Sequence, residues 1–127
     1  LVALADPTAK LSPAVARAAG IAKRTGAKIT LFHSLYSPYV AGEQFYSPEA
    51  LQRDIEGAVN GRKAELERIA KPLRDAGLTV HVRVRWDYPV HESIVREVMR
   101  EDNDLLVVGS HRHGAAARLV LTNTDWQ

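Results

Sequence analysis

Near the end of the chain, Gly109-Ser110-His111-Arg112-His113-Gly114 gathers two glycines, two imidazoles, a guanidinium and a hydroxyl in one short stretch. Backbone N–H groups between glycines wrap an anion, and Arg112 adds a fixed positive charge suited to a phosphate. A phosphate cradle usually carries more glycine than this, because side chains hold the backbone off the anion. His111 and His113, joined by Asp6 or His33, offer nitrogen and oxygen donors to a metal ion. Two loop histidines beside a permanent cation are more often simply solvated. Ser110 and His111 do not make a nucleophile pair, since adjacent residues in an extended loop diverge and no third acid orients the ring. Asp6 is the other group of interest. Its carboxylate accepts hydrogen bonds strongly, from a ribose hydroxyl or an adenine edge for example, or else it is the first residue of an Asp-Pro turn. His81 and His91 read as surface residues.

Whether Asp6 and the 109–114 loop meet depends on the elements around them. Residues 105–108 are continuously apolar, as in a strand covered on both faces of a parallel sheet, and Gly109 ends the run. A first buried strand spans residues 1–5. Ser12-Pro13 then supplies a cap and a first helical residue for a helix carrying Val15, Ala18, Ala19 and Ala22, closed by Gly26. Residues 28–34 alternate as a second strand, and residues 36–46 have no period and form a loop.

Ser47-Pro48-Glu49 opens the longest helix, with the stripe Leu51, Ile55, Val59, Leu66, Ile69 and Leu73. Gly57 and Gly61 weaken its middle by up to about 1 kcal/mol each, so a bend is expected there. Residues 78–85 alternate as a third strand with one wet face, hence an edge. A turn at 86–89 feeds a helix with Val90, Ile94, Val95 and Val98. Residues 115–121 form a short apolar run, and Thr122-Asn123-Thr124 caps a last helix that is barely begun. Strand and helix alternate throughout, which is the pattern of a parallel sheet with helices on both sides. With the third strand at an edge, the order is 3-2-1-4. The switch point then lies between strands one and four, bringing Asp6 and the Gly109 loop to one crevice.

Composition narrows the function classes. At 127 residues one domain, 1–127, is expected. An apolar share of 46% with 25% charged residues suits a globular protein. The 17 Lys and Arg against 15 Asp and Glu alternate along the helices and form no one-sided stripe, so no nucleic-acid partner is expected. No apolar run approaches the roughly 18 residues of a membrane span, and the cytoplasm is the default compartment. Cysteine is absent, which excludes disulfides, thiolate metal sites and cysteine nucleophiles. Both ends look cut: Leu1 begins at once with a strand-like run, and residues 124–127 stop where a helix starts. The chain therefore reads as part of a longer one.

Two enzyme classes of related fold fail on their motifs. Nucleotidyl transferases place His-x-Gly-His after the first strand, whereas His111-Arg112-His113-Gly114 follows the fourth. ATP pyrophosphatases place Ser-Gly-Gly after strand one, where this chain has Ala5-Asp6-Pro7-Thr8. Leu-Val-Ala-Leu-Ala-Asp at 1–6, Ile-Thr-Leu-Phe-His at 29–33 and, most specifically, Asp-Leu-Leu-Val-Val-Gly-Ser-His at 104–111 together resemble the universal stress protein family. Leu-Thr-Asn-Thr-Asp-Trp-Gln at 121–127 resembles the first half of its tandem members, in which two such domains share one polypeptide.

The resemblance implies an open parallel α/β sheet of Rossmann-like, adenine nucleotide alpha hydrolase-like type, in the order 3-2-1-4(-5), with the fifth strand missing from this chain. Members that bind ATP carry Gly-x-x-Gly, a spacer, then Gly-Ser or Gly-Thr, with the strand-one Asp on adenine. By that likeness Asp6, Gly109, Ser110, Arg112 and Gly114 are the binding residues. Gly109 keeps the first glycine, Arg112 and Thr122 replace the second and third, and Asn123 replaces the Ser or Thr. Tyr88-Pro89-Val90 stands where the family often has Gly-x-Pro. Arg112 and Thr122 in place of glycine each add a Cβ and forbid easy positive φ, so the backbone does not close on a triphosphate in the usual way. The expected function is a non-enzymatic stress-response domain that associates with a like domain, in the same chain or as a homodimer, without retaining ATP, metal or membrane contact. The alternative is an ATP-binding switch with Arg112 in place of the glycine cradle and slow hydrolysis as its only enzymatic option.

Overall fold

The computed structural model describes residues 1–4, 12–36 and 48–109, and the backbone of 118–121. It contains β1 (Val2–Ala3), α1 (Pro13–Thr25), β2 (Ile29–Leu35), α2 (Pro48–Asp75), β3 (Val80–Trp86), α3 (Val90–Arg100), β4 (Leu105–Val108) and β5 (Arg118–Leu121). The sheet order is β3-β2-β1-β4-β5. The first four strands are parallel, in the register Val2↔Leu31, Val2↔Val107 and Ile29↔Val80. The order 3-2-1-4 expected from the sequence is thus the order found.

The end of the sheet departs from expectation. Residues 118–121 pair antiparallel with β4, Leu105 opposite Leu121 and Val108 opposite Arg118. Residues 118–121, for which no strand was expected, add a short antiparallel edge to the sheet. The reason lies in the connection: only residues 109–117 separate β4 from β5, and a parallel crossover needs about a dozen residues or more. A return strand reached by so short a link runs antiparallel.

Alternation along the strands sorts the core into two layers. On one face Val2, Leu4, Ile29, Leu31, Val80 and Val107 pack with Ala14, Val15, Ala18 and Ala22 of α1 and Leu66 and Ala70 of α2. On the other, Leu1, Ala3 and Phe32 pack with Val98 of α3, joined by Ile94, Leu106 and Val108. The alanines of α1 let that helix sit close on the central strands, and its ends are well made. Ser12 Oγ accepts from the Val15 N–H at 3.4 Å, Pro13 begins the first turn, and Gly26 closes the helix at φ +73°.

α2 is a single helix across Gly57 and Gly61. Its stripe divides, however: Leu66 is fully buried and Ile69 and Leu73 pack on the sheet, whereas Leu51, Ile55 and Val59 are only half-buried and belong to neither core layer. β3 begins two residues later than expected and runs on to Trp86. It lies at the edge, with exposed His81 and Arg83 on its wet side, and His91 is exposed at the start of α3.

Candidate functional site

At the carboxyl ends of β1 and β4, described residues of three elements come together. Ala3 stands opposite Val108, so the two chains leave the sheet side by side. Gly109 follows Val108 directly. A Cβ built on Gly109 would lie 3.7 Å from the Ala14 Cβ in the first turn of α1, an ordinary contact, and its φ is not positive. The exit of β4 therefore rests on the amino-terminal turn of α1, and nothing among the described residues requires a glycine at 109.

β2 lies on the other side of β1. The imidazole of His33 is buried, and its Nδ1 lies 2.7 Å from the Leu4 carbonyl. A carbonyl only accepts, so Nδ1 carries the proton and the ring is fixed to the end of β1. The backbone rung beside it runs from the Leu4 N–H to the Phe32 carbonyl at 2.8 Å. Gly109 and His33 are thus the two sequence-singled residues that the structure places around this end of the sheet. Asp6, Ser110, His111, Arg112, His113 and Gly114 lie outside the described residues, as do Thr122 and Asn123. Among the described residues no three His, Asp or Glu side chains gather in a way that would hold a metal ion. No described helix is long and apolar enough to cross a membrane.

Sequence reasoning missed two groups. The first is aromatic: Tyr36 at the end of β2 lies 5.7 Å from Trp86 and 4.9 Å from Tyr88, ring centre to ring centre, at the carboxyl ends of β2 and β3. Their register, Leu35 opposite Trp86, was the available signal, since it brings the aromatics after both strands to one corner. The second is polar. Glu97 of α3 is buried, and its Oε2 accepts from Arg85 Nε at 3.2 Å and Arg100 Nη1 at 3.3 Å. Nearby Asp87 accepts from Arg96 Nη2 at 2.7 Å and Nε at 3.2 Å. That hydrogen-bonded guanidinium holds the Asp87 carboxyl below its ordinary range and raises Arg96 in turn.

Set beside known proteins, the whole chain, residues 1–127, matches the model of the universal stress protein family. The chain belongs to that family. Universal stress protein E of Photorhabdus laumondii is 31% identical over 127 residues, which is 100% of this chain and 40% of that protein. Universal stress protein E of Escherichia coli K12 is 28% identical over 126 residues, 99% of this chain and again 40% of the relative. The chain thus spans about two fifths of the length of these relatives. A crystal structure of a universal stress protein family member from Burkholderia pseudomallei aligns with a TM-score of 0.48 at 16% identity, covering 87% of this chain and 80% of that one. In this universal stress protein family domain Gly109 stands at the exit of β4.

Proposed function

We propose that this domain serves a stress response without catalysing a reaction, that it acts by associating with a like domain, and that it does not retain ATP. The observation carrying the second half is the replacement of two phosphate-embracing glycines by Arg112 and Thr122. A Cβ at each position keeps main-chain amides from closing on a polyphosphate, and binding that relies on those amides weakens accordingly. Association finds support in the relatives' length, since each has room for more than one such unit. Should anything small bind, we assign it to Asp6, Gly109, Ser110, Arg112 and Gly114, a reading supported by the switch point that the strand order puts between β1 and β4.

One observation supports the second reading, an adenine-nucleotide switch at the same place: Gly109 is present although neither its φ nor any neighbour among the described residues requires it. A glycine the fold does not need leaves room for close approach by a ligand. Native mass spectrometry of the gently purified protein separates the two. We expect no stoichiometric adenine nucleotide, and finding one overturns the apo reading. Titration with ATP and Mg²⁺ gives the complementary result, since sub-millimolar affinity that is lost in Arg112→Ala would establish the switch.

A further inference from the structure

β3 is the outermost strand on its side of the sheet, and among the described residues no strand lies beyond it. Its backbone groups sort by parity. The Ile29 N–H donates to the Thr79 carbonyl at 2.9 Å, and the Asp87 N–H donates to the Leu35 carbonyl at 3.1 Å. The odd-numbered residues from 79 to 87 thus turn their polar groups toward β2, and in a parallel ladder the residues between them turn theirs the other way. The N–H and C=O of Val80, Val82, Val84 and Trp86 therefore face outward. Among the described residues one side chain reaches this row: Arg74, at the end of α2, donates from Nε at 3.1 Å and Nη2 at 2.8 Å to the Val80 carbonyl. Beyond that fork the edge runs from Val82 to Trp86 with no proline and no bulge in its register on β2. A regular edge of this kind is a template for one more strand. Extended backbone is the chemistry that matches a row of donors and acceptors at strand spacing.

The side chains of β3 indicate which extended segment suits the edge. On one face Val82 and Val84 are half-buried and join the apolar layer under α1 and α2. On the other, Arg83 and Arg85 reach toward α3, where Arg85 and Arg100 share the single carboxylate of Glu97 and Arg83 meets Glu101 at 3.4 Å. Three guanidinium groups against two carboxylates leave one positive charge over, and all three are 40–52% exposed. A strand laid along this edge therefore meets apolar neighbours on one face and excess positive charge on the other. A second copy is a poor occupant, because pairing two β3 edges sets the Arg83 and Arg85 of each copy beside those of the other, and like charges across a ladder are destabilising.

We propose that the outer edge of β3 from Val82 to Trp86 receives an extended segment of a partner protein, in which acidic and apolar residues alternate, as an added strand. The outward groups of Val82 and Val84 supply the backbone hydrogen bonds. Carboxylates at alternate positions meet Arg83 and Arg85, and the apolar residues between them continue the layer of Val82 and Val84. The Arg74 fork closes the Val80 carbonyl and so fixes where the added strand begins. This surface is separate from the crevice at β1 and β4, and the proposal does not depend on association with a like domain.

Amide hydrogen exchange followed by NMR, with a short capped peptide of alternating valine and glutamate as the probe, tests this. In the free chain the amides of Arg83 and Arg85 should be protected by β2 while those of Val82 and Val84 exchange freely. Peptide at up to about 1 mM should protect Val82 and Val84 as well. Arg83→Glu should weaken binding roughly tenfold or more, because a like charge then faces the peptide, and a peptide with lysine in place of glutamate should not bind. Val84→Pro removes an outward donor and leaves the bonds to β2 in place, so it should abolish binding in a chain that circular dichroism shows to be folded. Should that variant not fold, the peptide carries the test instead. Methylating its backbone nitrogens at valine in one version and at glutamate in another should abolish binding in one and spare it in the other, since one set faces β3. No protection at Val82 and Val84, equal binding of the lysine peptide, or binding kept by both methylated versions overturns the proposal. Protection that appears without peptide and grows with protein concentration assigns the edge to a second copy and overturns it too.

Discussion

The two faces of the sheet are built on different principles. Under α1 and α2 the contact layer is apolar except for buried His33 at the end of β2, with Leu31, Leu66 and Ala70 fully buried. Under α3 the layer is mixed: Phe32, Ile94 and Val98 share it with the buried groups Ser34, Ser93 and Glu97. The first face derives stability from area removed from water, a force without direction. The second is directional, since Ser34 Oγ donates to the Asp87 carbonyl at 3.3 Å and Glu97 receives two arginines. Such contacts fix how α3 sits on β2 and β3 more than how strongly it is held. The orientation of α3 in turn sets the corner where Tyr88, Asp87 and Arg96 are presented. Stability and presentation are thereby assigned to opposite sides of one sheet.

The largest effect should come from the apolar face. Leu66 is fully buried between α2 and the sheet, and Leu66→Ala removes its transfer energy and leaves a cavity, together about 2–5 kcal/mol. Urea unfolding should show a lower midpoint at unchanged slope. A loss below about 1 kcal/mol would mean that α2 is not a working part of the core, and the contrast between the faces would fail.

A smaller and more discriminating effect is expected from Glu97. Glu97→Ala strands two guanidinium groups at the edge of the layer, but Arg85 and Arg100 remain about half exposed and water takes over part of their solvation. The loss should be about 1–3 kcal/mol. Glu97→Met keeps the volume and also relieves the burial of Oε1, which has no hydrogen-bond partner among the described residues. It should be clearly less harmful than Ala, because replacing a buried charge by a packed apolar group is often close to neutral. Equal losses for the two variants would show that ion pairing, rather than filled volume, holds this face.

The same division explains what the sequence made legible. Where burial follows period or continuity, as in residues 105–108 or in Val80, Val82 and Val84, strand order and edge position could be read directly, because apolar patterning is what the fold answers to. β5 escaped because residues 118–121 carry no alternation of their own and are placed by the shortness of the link from β4. Glu97 escaped because a charged side chain on a helix reads as solvent-facing unless its partners are known, and Arg85 comes from a different element. The aromatic corner was hidden in two stretches that look like loop and turn, and only the register of β2 on β3 joins them. Of the crevice, the neighbourhood of β1 and β4 was readable from topology rules. The part of His33 in fixing the end of β1 was not, since a histidine at a strand end carries no sign of which carbonyl it will find.

The smallest effect concerns the rim of the mixed face and is a matter of pH. Asp87 has its carboxyl pKa lowered from 3.8 by the Arg96 hydrogen bonds, so the folded chain binds its proton less readily than the unfolded one. The stabilisation is therefore complete above pH 3.8 and is lost as pH falls through the lower folded value. Asp87→Asn should leave stability near neutrality almost unchanged, because the pair is exposed and screened, but should flatten the acid limb of a plot of urea midpoint against pH. An acid limb as steep in Asp87→Asn as in the wild type would show that the Arg96 contact does not persist in solution.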